Sequence, residues 1–207
     1  MSAGGETVDT LRTQVGAMAD RLRHRGPDDA GLWIDAAAGI ALGFRRLAIV
    51  DLTPAGHQPM SSSTGRFTIV FNGEVFNSRD LARELSGSGA HFRGHSDTEV
   101  MLAAFECWGV EAAVRRFVGM FAFAVWDART RRLHLCRDRL GKKPLFVHYR
   151  KGRVIFASEL KALRAALNPT SSLRALSSFP RGQRNGTSKR TSPRLIIRLR
   201  RRPMPTA

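Results

Sequence analysis

Four polar clusters interrupt an otherwise apolar pattern: HRGPDD at 24–29, RRLAIVD at 45–51, NGE at 72–74 and SDTE at 96–99. Each falls at the end of an apolar run, and each has an ordinary structural reading by itself. His24 can cap a helix end, Arg46 can lie solvated on a surface, and Asn72-Gly73 is a common turn pair. Together the clusters supply a guanidinium for a carboxylate, a carboxylate for an ammonium, and an amide side chain with a glycine N–H to hold a developing oxyanion. That set suits an amino-acid amide. The six histidines occupy no consistent catalytic spacing and read as structural or exposed. Cys107 and Cys136 form no CxxC or Cys/His cluster, so neither a disulfide framework nor a zinc or other metal site is expected.

These groups need elements to hold them. Val8, Leu11, Val15, Met18 and Leu22 recur at spacings of 3, 4, 3 and 4, the apolar stripe of a helix ending near Arg23. GLWID and GIALGFRRLAIVD, joined by a short AAAG link, read as an antiparallel pair, and RFTIVFN reads as another strand. Ser78 opens a short helix carrying Leu81 and Leu85. Ser96 stands three residues before Glu99, a capping-box spacing that starts a helix near Asp97. In GMFAFAVWD, Met120, Ala122, Ala124 and Trp126 share one face while Phe121, Phe123 and Val125 share the other. Both faces are apolar, so this strand belongs inside stacked layers. RRLHLCR, KPLFVHY and RVIFAS follow with links too short for parallel crossovers, and ELKALRAAL closes the body as a helix. The expectation is an α+β domain of mostly antiparallel strands, with sheets stacked inside and helices outside.

A chain of 207 residues fits one domain with an appendage. Its 34 Lys and Arg against 17 Asp and Glu give a formal charge of +17, of which +10 lies from Asn168 to Ala207, where acids are absent. The body, residues 1–167, is ordinary globular composition. Residues 168–207 read as a basic, disordered tail, with LIIRL at 195–199 as the one apolar segment able to dock on an open core edge. The tail carries no signature of an RNA- or DNA-binding fold, so nucleic acid is not the expected partner.

No apolar run reaches the roughly 18 residues of a membrane span, and the opening MSAGGETVDT lacks a signal-peptide pattern, so a soluble cytoplasmic protein is expected.

The segments HRGPDD, RRLAIVDL, GHQP, FNGEVFN, SDTEV, GMFAFAVWD, RDRLGKKPLF and FASELKAL, in this order from about Val8 to Leu167, resemble the N-terminal glutaminase domain of glutamine-dependent asparagine synthetases, a class II glutamine amidotransferase domain. The resemblance implies an N-terminal-nucleophile hydrolase fold, a four-layer αββα sandwich of two mostly antiparallel sheets. It implies that Arg46 grips the glutamine α-carboxylate, with Leu47, Ile49 and Val50 shaping the pocket. It further implies that Asp97 takes the α-ammonium, that Asn72 and Gly73 form the oxyanion hole, and that Glu74 sits at the polar end of the substrate. Complete relatives hydrolyse glutamine and pass ammonia to an ATP-dependent amidation of aspartate.

The chain departs from that pattern at both ends. The family's nucleophile is a cysteine exposed by removal of the initiator methionine, at the head of an apolar strand. Here the sequence begins MSAGGETVDT, so the nucleophile and the first strand are expected to be missing and the chain to be inactive as it stands. Ser2 would be followed by Ala3, Gly4 and Gly5, which cannot rebuild such a strand. The synthetase domain, to which ATP and magnesium would belong, does not follow FASELKAL, so no cofactor is expected in this chain. Glutamine is the expected ligand, and a separately encoded synthetase domain is the candidate partner. The alternative reading is a non-catalytic module that binds glutamine or a partner.

Overall fold

The computed structural model describes residues 7–47, 56–94, 96–150 and 152–167, with the backbone alone at 150 and 195–200. Helix α1 (Val8–Asp20) buries Leu11, Val15 and Ala19, and Thr7 caps it by accepting the Thr10 N–H at 3.2 Å. A 3-10 turn at Arg23–Arg25 leads into strands β1 (Asp29–Asp35) and β2 (Ile40–Arg46), an antiparallel hairpin in which Asp29 faces Arg46. Strands β3 (Met60–Ser61) and β4 (Phe67–Val75) follow, then helices α2 (Ser78–Gly87), α3 (Asp97–Trp108) and α4 (Val110–Arg116). The chain continues through β5 (Gly119–Asp127), β6 (Arg132–Arg137), β7 (Phe146–Arg150), β8 (Arg153–Ala157), α5 (Leu160–Ala166) and β9 (Leu195–Arg200).

The strands form one five-stranded sheet, ordered β3-β4-β5-β6-β9, and two separate hairpins, β1-β2 and β7-β8. The two-faced strand expected at GMFAFAVWD is β5, and its alternation builds two cores. Phe121, Phe123 and Val125 pack under the helices with Leu81, Leu85, Met101 and Phe105. Ala124 and Trp126 pack on the other side, with Val70, Leu133 and Leu135, against Leu42 of the first hairpin and Val147 of the second. A third cluster joins Ile155 and Ala157 to Ala162 and Leu163 of α5, with Met18 and Leu22 packed against it. The layers therefore run α1/α5, the two hairpins, the five-stranded sheet, and α2/α3/α4, the expected αββα sandwich. Between β2 and β8 lies a cavity of about 2180 Å³, lined by Leu11, Val15 and Met18 of α1 and by Ala122, Ala124 and Trp126 of β5.

Four local features differ from the sequence reading. Asn72-Gly73 is not a turn: β4 runs through it to Val75, paired along its length with β5. The capping box is only half formed. Ser96 Oγ accepts the Thr98 N–H at 3.2 Å, but the Glu99 carboxylate takes the N–H groups of Arg93 and Gly94, at 2.7 and 3.0 Å, because the preceding loop folds over it. Helix α4, seven residues long and set off from α3 by Gly109, is too short for its periodicity to register. The segment Leu195–Arg200, assigned by sequence to the tail, pairs antiparallel with β6, Leu135 facing Ile197. This is an outer edge of the five-stranded sheet. The remainder of the tail lies outside the described residues. Among the described residues no helix is long and apolar enough to cross a membrane.

Candidate active site

The end of β4 forms one wall of the cavity. Gly73 has φ of +149°, and a Cβ there would stand 2.1 Å from the carbonyl oxygen of Met120 and 2.6 Å from Phe121 Cα, so only glycine fits. On either side of it, the Phe71 N–H donates to Gln58 Oε1 at 2.7 Å and the Val75 N–H to Asp97 Oδ2 at 3.0 Å. Phe76, by contrast, donates across to Val118 O of the neighbouring strand segment at 2.8 Å. The two-residue repeat of a strand therefore directs the Gly73 N–H to the same edge as those of Phe71 and Val75, away from β5.

Asp97 opens α3, where the helix N-terminus favours a carboxylate. Burial nevertheless raises its pKa above the ordinary 3.8, against the backbone N–H groups of Val75 and Thr98 that lower it, and the nearby Glu74 carboxylate adds to the rise. A carboxylate whose charge is uncompensated in this way is suited to receiving a cation. Arg46, at the end of β2, brings the opposite charge to the cavity. Its guanidinium packs on Gly56, where a Cβ would lie 2.1 Å from Nη2. Asp29, its cross-strand partner, has its pKa lowered chiefly by a 2.6 Å hydrogen bond with His57, against desolvation and with help from the Arg46 charge.

Of the residues singled out by sequence, Arg46, Leu47, Asn72, Gly73, Glu74 and Asp97 all line this one cavity. Ile49 and Val50 lie outside the described residues. The two cysteines point elsewhere. Cys136 is fully buried in the core beneath the helices, Cys107 is exposed on α3, and neither lines the cavity. Sequence reasoning missed three participants. His57 and Gln58 belong to GHQP, a segment whose residues suggested no chemistry in isolation. Asp138, in RDRLGKKPLF, accepts four backbone N–H groups, from Phe121, Leu140, Lys142 and Lys143 at 3.0–3.2 Å, and so fixes the loop that carries Lys143 to the cavity. Among the described residues, no cluster of three or more His, Cys, Asp or Glu is placed to hold a metal ion.

The fold defines a class, the αββα sandwich of the N-terminal-nucleophile hydrolase type. The chain superposes on glutamine phosphoribosylpyrophosphate amidotransferase from B. subtilis with a TM-score of 0.62 at 21% identity, covering 79% of this chain and 42% of that one. That likeness shows the fold. The profile of the glutamine amidotransferase domain matches residues 3–200, and the chain belongs to that family as a domain of the asparagine synthetase type. It is 41% identical over 170 residues to a putative glutamine-hydrolysing asparagine synthetase from Mycobacterium bovis, covering 78% of this chain and 26% of that protein. It is 42% identical over 150 residues to asparagine synthetase 3 of Bacillus subtilis, covering 72% of this chain and 24% of that protein. The chain thus spans about a quarter of the length of these relatives.

Proposed function

We propose that this chain binds glutamine in the cavity between β2 and β8 and, by itself, does not hydrolyse it. The observation that supports binding is the convergence of Arg46, Asn72, Gly73 and Asp97 on one cavity, from separate stretches of sequence. Arg46 would hold the α-carboxylate, Asp97 the α-ammonium, and Asn72 with the Gly73 N–H would face the amide carbonyl, where negative charge builds during hydrolysis. Leu47, and Ile49 and Val50 beyond the described residues, would shape the pocket, with Glu74 at the polar end of the substrate.

The absence of hydrolysis rests on the nucleophile. Neither Cys107, exposed on α3, nor Cys136, buried beneath the helices, lines the cavity that would hold the amide. Where no nucleophile reaches the amide, oxyanion groups have no tetrahedral intermediate to stabilise, and nearly all the acceleration is lost. The full reaction of the relatives, amidation of aspartate with ammonia from glutamine, would need a nucleophile-bearing strand and a synthetase domain holding ATP and magnesium. On this reading the chain is a glutamine amidotransferase domain of the asparagine synthetase type that holds glutamine without turning it over by itself.

Calorimetry with glutamine tests the binding, and ammonia release from glutamine tests the silence. No heat of binding at millimolar glutamine would overturn the first. Turnover that Ser2→Ala abolishes would overturn the second and make serine the nucleophile.

A further inference from the structure

Gln58 is 6% exposed, and both ends of its carboxamide are engaged. Oε1 accepts the Phe71 N–H at 2.7 Å, and Nε2 donates to Thr98 Oγ1 at 3.3 Å. The Phe71 donor fixes which end is oxygen, since an amide nitrogen could not accept from it. Phe71 immediately precedes Asn72, and Thr98 immediately follows Asp97. One side chain therefore joins the strand that carries the oxyanion pair to the helix that carries the ammonium-binding carboxylate.

The reason a side chain does this lies in the shortness of β3. Its pairing with β4 covers only Ile69 and Thr68, facing Met60 and Ser61. Beyond Ile69 the outer edge of β4 is held by side chains: Gln58 at Phe71 and Asp97 at Val75, with Gly73 between them. The same segment reaches the third arm of the site, because His57 bonds Asp29, opposite Arg46, and Gly56 packs on the Arg46 guanidinium. We propose that Gln58 is a positioning residue that sets the distance between Asn72-Gly73 and Asp97, so that the amide and the ammonium of a single glutamine are held at once. This rests on the glutamine-site reading above.

The test uses the full chain and two ligands in calorimetry: glutamine, and norvaline, which has the same α-groups and no side-chain amide. In Gln58→Met, which keeps length and loses both hydrogen bonds, glutamine affinity should fall about tenfold while norvaline affinity changes by less than about twofold, the scale of one or two lost hydrogen bonds. Thr98→Val, which cuts the link at its helix end and leaves the Phe71 bond intact, should lose the preference for glutamine in the same way, and Thr98→Ser should keep it. If Gln58→Met does not fold, the Thr98 pair carries the test. An unchanged preference for glutamine in Thr98→Val, or equal losses for both ligands, would overturn the positioning role. A parent chain that binds neither ligand would overturn the site reading itself, and this proposal with it.

Discussion

Asp97 accepts the Val75 N–H at 3.0 Å, so the carboxylate at the start of α3 is tied to the strand two residues beyond Gly73. That bond holds a negative charge within a partly buried wall of the cavity, where desolvation and the neighbouring Glu74 both oppose its ionisation.

The first consequence is a pH dependence of glutamine binding. Because Asp97 titrates above the ordinary 3.8 in the ligand-free fold, and the ammonium of glutamine needs it ionised, affinity should level off only above the raised pKa. It should fall by up to about tenfold per pH unit as pH drops through the raised pKa. The native fold holds this proton more tightly than the unfolded chain does. Asp97 therefore contributes less to ligand-free stability as pH rises from 3.8 through the folded pKa, and Asp97→Asn should flatten that slope. Calorimetric titrations across the acid range check both, and a parent affinity independent of pH would remove Asp97 from the site.

Gly56→Ala should weaken glutamine binding without unfolding the chain. The new methyl would sit 2.1 Å from Arg46 Nη2, and a long side chain gives way more readily than backbone does. Displacing one charge-assisted hydrogen-bonding group costs on the order of 1.5–3 kcal/mol, a loss of at least about tenfold in affinity. An unchanged dissociation constant would show that Arg46 holds no carboxylate.

Asp138→Asn should destabilise the fold by about 1–3 kcal/mol near neutral pH. Burial works against the Asp138 charge, but four backbone N–H groups outweigh it and hold the pKa below 3.8. The stabilisation from the depressed pKa is therefore present above 3.8 and lost as pH falls through the folded value. Urea melts of parent and variant should converge at acid pH, and a constant difference between them would mean that the loop does not depend on the carboxylate.

Removal of residues 168–207 should expose the outer edge of β6. Leu133, Leu135 and Arg137 face Leu199, Ile197 and Leu195 of β9, and an unpaired edge exchanges amide hydrogens quickly and invites association between chains. Hydrogen exchange on the full chain and the truncated form gives the answer. Equal protection of the β6 amides in both would mean that β9 contributes nothing to the sheet.

Local pattern alone determined much of this protein. Period-2 alternation in GMFAFAVWD specifies a strand with two apolar faces, and such a strand has to lie between layers, as β5 does. The spacing of Leu11 and Val15 specifies the buried stripe of α1, and Ser96 specifies where α3 begins. Residue types named the groups that face the cavity, because a guanidinium, a carboxylate and an oxyanion donor are recognisable before they are placed. The distances between them were decided only by tertiary structure. Asn72-Gly73 has the local signature of a turn, and only pairing with β5 draws it into a strand with Gly73 against the Met120 carbonyl. Gln58 shows the same limit from the other side. Its partners, Phe71 and Thr98, lie 13 and 40 residues away, and a buried carboxamide is chosen by where two other elements happen to meet. Hydrophobic periodicity acts between neighbours in sequence, whereas a side chain that bridges a strand and a helix answers to an edge that exists only once the sheet has formed.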